Sequence, residues 1–273
     1  KNSKNPPIEL LKTVMNKQIE LVTNWMRIGF VHGVINTDNV TISGETIDYG
    51  PCAFMDRYDP GTVFSSIDYQ GRYAFFNQPG ITKWNLTRFA ESLIPLINNS
   101  EDKAIEIASE VINDFNEKYK KEWLIMMKKK LGLIGEELGD ENLIIDLLTW
   151  MHKNQVDYTN TFNFLTNNKI LNHKIYNDQD FINWKIKWEK RLKLNNNSPN
   201  KYLKLMRLSN PVIIPRNHKV ESALKAATES NDLTKIQDLL KALQNPYKED
   251  FKLSSFQSVP KLGGEKYKTF CGT

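Results

Sequence analysis

The hydrophobic pattern of the chain begins with a helix. Apolar residues recur every three or four positions from Ile8 to Phe30, which is the period of an amphipathic α-helix. Pro6 and Pro7 come just before this stretch, and proline is favoured in the first turn of a helix. The pattern therefore predicts a helix from Ile8 to Phe30 that leads directly into a polar loop beginning at His32.

A short β-hairpin is predicted next. The β-branched stretches Val40 to Ile42 and Thr46 to Ile47 flank a turn that contains Gly44, which is typical of two short strands joined by a tight turn.

A long segment without helical period follows. Residues from Pro51 to Gly80 are rich in glycine, proline, aspartate and aromatic side chains. A structured loop of this length inside a compact domain is usually functional.

Helical periodicity dominates the rest of the chain. The pattern predicts helices near residues 84–98, 102–131, 140–153, 159–168, 178–194, 199–208, 217–229 and 233–243. The tail from Phe251 to Thr273 has little periodicity, and we expect it to lie over the surface or to be mobile. The fold class is thus mainly α, with a minor β component.

Composition describes an ordinary globular protein and excludes some partners. The chain has 273 residues, 40% of them hydrophobic and 25% charged, and no apolar run approaches the roughly 20 residues that span a bilayer. The net charge of +5 is mild, and lysine runs alternate with glutamates, so we expect no nucleic-acid partner and no membrane contact. Two cysteines make no disulfide framework, which favours a reducing, cytoplasmic location.

The loop from His32 to Asn39 carries the chemistry. Protein kinases have the catalytic motif H-R-D-x-x-x-x-N followed by the metal-binding D-F-G. Here the histidine and Asn39 are kept, Asp48 begins an Asp-Tyr-Gly motif, and Val34 stands where the catalytic aspartate belongs. Valine accepts no proton, so either the chain is a dead kinase or it uses the nucleotide differently.

Asn39 and Asp48 are the predicted metal ligands. Mg²⁺ takes hard oxygen ligands, usually one or two from protein, with phosphates and water completing its shell. An amide and a carboxylate across a hairpin meet this need, for Mg²⁺ or Mn²⁺. Asp38 is the carboxylate nearest the Val34 position; it is either the proton acceptor or a group that orients the outer shell of the metal.

Several motifs in order resemble the selenoprotein O (SelO) family. They are HGVINTDN at residues 32–39, TIDYGP at 46–51, DYQGRYAFFNQP at 68–79, PRNHKVESAL at 215–224 and FCGT at 270–273. The resemblance implies a protein-kinase-like fold, of which this chain has the C-lobe, with the catalytic hairpin and a C-terminal helical extension. The N-lobe, with its Gly-rich loop and strand lysine, is absent, and the start at Lys1 indicates a fragment.

The resemblance also implies a division into three parts. Residues 1–100 hold the core of the lobe with the catalytic loop, the Asp-Tyr-Gly motif and an activation-like segment. Residues 101–250 form the helical lobe and extension, and residues 251–273 form the tail.

The activity implied by the resemblance is transfer of AMP from ATP to Ser, Thr or Tyr hydroxyls of protein substrates. Asp38 is then the proton acceptor, and Asn39 and Asp48 hold the metal through which ATP binds. The fragment alone is expected to be inactive, because it needs the missing N-lobe segment or a complementary chain. Two alternatives stay open: a protein kinase that uses Asp38 as a displaced base, and a non-catalytic pseudokinase scaffold.

The two cysteines gain a role from the resemblance. It implies a redox-linked disulfide between Cys52, four residues after Asp48, and Cys271 near the C-terminus. We expect reduction, by a thioredoxin-type partner, to free the site. Such a bond would make a mitochondrial location the alternative to the cytoplasm.

Overall fold

The protein is mainly helical around a minimal sheet. The computed structural model describes residues 4–167, 174–195, 199–249, 251–260 and 267–269. Within these ranges the helices are α1 (Pro6–Ile28), α2 (Gln78–Ile97), α3 (Glu101–Asn113), α4 (Phe115–Leu131), α5 (Asp140–Lys153), α6 (Tyr158–Asn167), α7 (Gln179–Lys193), α8 (Pro199–Ser209), α9 (Asn217–Ser230) and α10 (Thr234–Leu243). Short 3₁₀ turns span Thr37–Asn39, Phe75–Asn77, Lys174–Asn177 and Phe251–Gln257. None of the described helices is both long and apolar enough to cross a bilayer.

The sheet differs from the prediction. Strands β1 (Phe30–Val31) and β2 (Ala53–Phe54) pair antiparallel. The predicted hairpin is reduced to a single antiparallel bridge between Val40 and Thr46. A side chain takes the place of the ladder there, because the hydroxyl of Thr41 both accepts from the Glu45 amide and donates to the Glu45 carbonyl, each at 3.0 Å.

The turn around Gly44 is docked on α1. Gln18 on α1 donates to the Thr41 carbonyl, and the Trp25 indole donates to the Thr46 hydroxyl at 2.9 Å. Gly44 has a φ of +77°, and a Cβ there would meet the Lys17 side chain at 2.8 Å, so only glycine fits this approach.

The predicted helix at 102–131 is wrong in one respect, because it is two helices divided at Asp114. The break lets α3 pack on α2 while α4 packs on α1. Phe115, at the start of α4, is buried at the junction, among side chains of the cluster formed by α1, α2 and α3. No proline or glycine marks the break, so periodicity alone does not reveal it.

Most other predicted elements are confirmed. Helices α1 and α5 to α10 lie within about two residues of the prediction over the described part of the chain, while α2 begins six residues earlier, at Gln78. The tail contains the 3₁₀ turn Phe251–Gln257, which was not predicted, and Thr269 pairs parallel to Ser65.

Tryptophans of the helical region lie in the core. Trp150, Trp184 and Trp188 are buried, and each indole N–H is satisfied, by Asp178, by the Leu143 carbonyl and by the Leu131 carbonyl respectively. Trp184 and Trp188 stack with ring centroids 5.9 Å apart. These rings form a core for the helices behind the polar loop.

Gln78, the first residue of α2, is fully buried and bridges the chain around β1. Its Oε1 accepts from the His32 amide, and its Nε2 donates to the Phe30 carbonyl, both at 3.0 Å. The side-chain amide thereby makes the hydrogen bonds that a neighbouring strand would make to the residues before and after Val31.

We expect Gln78→Ala to destabilise the fold by about 3 kcal/mol, because it leaves a buried donor and a buried acceptor unsatisfied. Urea unfolding followed by circular dichroism measures this change. The matched control is Gln70→Ala at an exposed glutamine, which should alter the free energy of unfolding by less than about 0.5 kcal/mol. Equal effects of the two substitutions would contradict the bridging role of Gln78.

Candidate functional site

The polar loop leaves α1 through a fixed helix end. Gly29 ends the helix in the left-handed conformation, with a φ of 73°. Two carbonyls of the last turn receive side-chain donors: Tyr158 Oη donates to Met26 at 3.0 Å, and Lys130 Nζ donates to Arg27 at 2.7 Å. The direction in which the chain enters the loop is therefore set by buried groups from α4 and α6.

Lys130 is an unusual part of this support, because it is fully buried. Its Nζ lies over the rings of Phe162 and Tyr158, at 3.9 and 4.9 Å from the centroids. Burial, together with the charge of Arg27, lowers the pKa of Lys130 well below its usual value. No sequence pattern indicates this role, since Lys130 lies in an ordinary-looking lysine run.

His32 braces the loop and does not face solvent. Its ring is buried against Trp25, with centroids 5.3 Å apart, and its Nε2 lies 2.8 Å from the Ile47 carbonyl. Burial lowers the pKa of His32 below its ordinary value. The neutral imidazole donates to the residue directly before Asp48, so it fixes the backbone at the start of the Asp-Tyr-Gly motif.

Asn39 has one side of its amide engaged. It ends the 3₁₀ turn Thr37–Asn39, and its Nδ2 donates to the Val34 carbonyl at 3.1 Å. No hydrogen bond within the described residues uses Asn39 Oδ1. The amide is thus oriented with an oxygen left to coordinate, which is the atom that a hard cation requires.

Asp48 is exposed, and its backbone has a φ of +53°, a left-handed conformation that is uncommon outside glycine. One carboxylate oxygen accepts weakly from the Gly50 amide at 3.4 Å. The other has no hydrogen-bond partner among the described residues. Asn39 lies one residue before the Val40–Thr46 bridge and Asp48 two residues after it, so the two stand on opposite arms of one turn.

Asp38 is exposed beside Asn39 in the 3₁₀ turn. Within the described chain its carboxylate has neither a hydrogen bond nor an ion pair. The described residues contain no group of three or more His, Cys, Asp or Glu side chains arranged to hold a metal by themselves.

The segment after Asp48 is anchored to the C-terminal helices by Arg216. This side chain is 1% exposed and donates to Asp56 at 2.6 Å and to both carboxylate oxygens of Asp157. Burial opposes its charge, but the carboxylates of Asp157 and Asp56 outweigh burial and raise the pKa of Arg216. Next to it, Asn217 donates to the Phe54 carbonyl at 3.1 Å. Arg216 and Asn217 of the PRNH run therefore hold this segment against the C-terminal helices.

Cys52 is a half-buried free thiol beside the loop. Its Sγ donates to the Tyr49 carbonyl at 3.1 Å. Burial raises the pKa of Cys52, and the nearby Asp48 charge adds to the effect, so the thiol is protonated at neutral pH. Cys271, the second predicted redox residue, lies outside the described residues.

Thr269 in the tail contacts the segment that follows Asp48. The Thr269 amide donates to the Phe64 carbonyl at 2.8 Å, and its carbonyl accepts from Ser66 at 3.0 Å. The Thr269 hydroxyl donates to the carbonyl of Pro51, directly before Cys52, at 2.9 Å.

Comparison with known proteins identifies the family. The family model described as "Protein adenylyltransferase SelO" matches residues 1–244. The chain is similar to proteins named "Protein nucleotidyltransferase YdiU" from Pelagibacter ubique, 55% identical over 273 residues, and from Nitrosococcus oceani, 49% identical over 272 residues. Each match includes 100% of this chain but only 56% and 55% of the relative, so the chain spans about half the length of these curated relatives. The match to the family model and the identity along the whole chain show that this protein belongs to the SelO family.

Proposed function

We propose that this chain is the catalytic-loop half of a protein nucleotidyltransferase that transfers AMP from ATP to Ser, Thr or Tyr hydroxyls of proteins. The relatives are named protein nucleotidyltransferases. The observation that carries the proposal is a set of side-chain oxygens around one turn, from Asn39, Asp48 and Asp38, that have no hydrogen-bond partner among the described residues, with Val34 at the position of a kinase base. Nucleotide phosphates and a divalent ion are the ligands that suit such a set.

The proposal includes a kinase-like architecture. Residues 1–100 and 101–250 form a C-lobe and its helical extension, and residues 251–273 form a tail, in which Thr269 contacts the segment after Asp48. ATP is clamped from its other side by an N-lobe, supplied by a further segment or a complementary chain.

Asn39 and Asp48 are the residues that would hold Mg²⁺ or Mn²⁺. When bound, the ion neutralises phosphate charge, which is the chief electrostatic requirement of phosphoryl and nucleotidyl transfer. His32 and the Val34 carbonyl serve this pair indirectly, because they orient the backbone before Asp48 and the amide of Asn39.

Asp38 takes the proton of the acceptor. The hydroxyl oxygen attacks the α-phosphorus, its proton passes to the Asp38 carboxylate, and the bond from the α-phosphorus to the bridging oxygen breaks so that pyrophosphate leaves. A carboxylate that is exposed and unpaired is accessible to an incoming hydroxyl, as a general base must be.

Labelled ATP tests the reaction class. With the protein encoded by the intact gene, we expect protein-bound label from α-³²P-ATP and none from γ-³²P-ATP, with one pyrophosphate released for each AMP transferred. Label from γ-³²P-ATP would show a kinase with a displaced base. ATP binding without either label would favour a scaffold.

Substitution separates the roles of the two aspartates. Asp38→Ala should lower the transfer rate by at least about 100-fold, because a general base contributes about 10² to 10⁴, while ATP affinity stays within about threefold. Asp48→Ala should instead weaken metal-dependent ATP binding, measured by calorimetry with and without Mg²⁺. Asp102→Ala, at an exposed position in the first turn of α3, is the control that should change neither quantity. Equal loss of ATP binding in Asp38→Ala would contradict the base assignment.

Redox control through Cys52 and Cys271 is part of the proposal. Thr269 bonds to the residue before Cys52, and the two residues from Thr269 to Cys271 span at most about 7 Å. This short stretch of chain allows the Cys271 thiol to approach Cys52, as a disulfide requires. Formation removes two electrons and two protons from the thiols to a disulfide or peroxide oxidant, and a thioredoxin-type dithiol returns them. The location follows the same chemistry: cytoplasmic if the thiols stay reduced, mitochondrial as the alternative.

A non-reducing peptide map tests this bond. After oxidation with glutathione disulfide, we expect one cross-linked peptide pair containing Cys52 and Cys271, and at least a threefold gain in transfer rate on reduction. Cys52→Ser should remove both the pair and the response to reductant. Two free thiols after oxidation would end the redox proposal without affecting the transfer chemistry.

A further inference from the structure

A cationic aromatic surface lies beside the polar loop, and we call it the Arg72 surface. It consists of Arg72 and Tyr73 from the segment before α2, and Trp84 and Arg88 on α2. The Arg72 guanidinium lies 4.9 Å from the Trp84 ring centroid and 5.8 Å from that of Tyr73, and Arg88 lies 5.3 Å from Trp84. Stacking of this kind holds a guanidinium without using its N–H groups.

The two arginines differ in their charge partners. Arg88 forms an ion pair with Glu91 at 2.7 Å, one helical turn away. Arg72 is exposed and has no carboxylate partner and no side-chain hydrogen bond within the described residues. The nearby Asp68 carboxylate is occupied by the backbone amides of Arg72 and Tyr73, both at 2.8 Å. Arg72 thus presents an oriented, unpaired fork of donors.

The Arg72 surface is connected to the candidate catalytic loop. The Tyr73 hydroxyl donates to the side chain of Asn36, two residues before Asp38. The path from the Arg72 guanidinium to Asp38 runs through the Tyr73 ring, the Asn36 side chain and two residues of backbone, which span at most about 7 Å. Together these steps place the guanidinium within roughly 20 Å of Asp38. An extended peptide covers that distance in about six residues.

We propose that Arg72 binds an acidic side chain of the protein substrate, within about six residues of the modified hydroxyl. The identification of this partner as the substrate rests on the proposed function. A planar, pre-oriented guanidinium matches a carboxylate through two parallel hydrogen bonds. A nucleic-acid partner fits less well, because Trp84 is already engaged by two guanidinium groups and base binding needs a free aromatic face.

Peptide binding tests the surface without requiring catalysis. The probes are a fluorescein-labelled dodecapeptide of alternating Glu and Gly with one central Ser, and its counterpart with Gln for Glu, in fluorescence anisotropy with the intact gene product. We expect the Glu peptide to bind at least tenfold tighter than the Gln peptide. Arg72→Gln should weaken Glu-peptide binding at least fivefold, whereas the matched variant Arg88→Gln, whose charge is already paired, should weaken it less than twofold.

Three results would overturn the inference: unchanged Glu-peptide binding in Arg72→Gln, equal weakening in Arg88→Gln, or tighter binding of a dT12 oligonucleotide than of the Glu peptide. Thermal unfolding of each variant verifies that the fold is kept, and Arg72→Lys keeps the charge but loses the planar fork, so it should lose affinity as well.

Transfer kinetics then separate this inference from the proposed function. In α-³²P-ATP assays, Arg72→Gln should raise KM for the Glu peptide at least fivefold and leave KM for ATP unchanged; a raised KM for ATP alone would assign Arg72 to the nucleotide. Arg72-dependent peptide binding with no transfer from α-³²P-ATP would refute the AMP-transfer proposal and leave the acidic-partner surface standing.

Discussion

The candidate site depends on satisfying the backbone of a loop that has almost no sheet to support it. Strands β1 and β2 are two residues each, and the turn after Asn39 has one bridge. Buried backbone amides and carbonyls that have no partner strand need hydrogen-bond partners from side chains, since leaving them unpaired costs about 1–3 kcal/mol each. Gln78 and His32 provide these partners, from a distant helix and from the loop itself.

A second constraint joins the far end of the chain to the same region. Arg216 places one buried cation between Asp56 and Asp157, and these belong to the segment after Asp48 and to the start of α6. A buried charge group of this kind is a demanding arrangement, because removing either side leaves an uncompensated charge. The C-terminal helices are therefore structurally coupled to the segment that follows the Asp-Tyr-Gly motif, and Thr269 adds a third contact there.

The sequence predicted what depends on short-range pattern and motif order. The recurrence of apolar residues every three or four positions located α1 and α5 to α10. The order of the motifs located the loop from His32 to Asn39 and identified the family. It missed what depends on contacts between distant residues. The break at Asp114 accompanies the packing of α3 on α2 and of α4 on α1, and the sheet pairing of Phe30 with Phe54 joins residues that no local pattern relates. Gln78 and Lys130 look like ordinary polar residues until the fold buries them.

The presence of valine at position 34 can be understood from this support. In the candidate site the residue contributes its backbone, because its carbonyl orients the Asn39 amide, and this contact needs no particular side chain. A base at this position is thus dispensable for building the loop. The Asp38 carboxylate, in contrast, makes no hydrogen bond or ion pair within the described chain, and Asp38 is adjacent to Asn39 in a tight 3₁₀ turn. Under the proposed function the chemistry moves to Asp38, the carboxylate of the loop from His32 to Asn39, while His32 and Gln78, which brace the loop, stay neutral and buried.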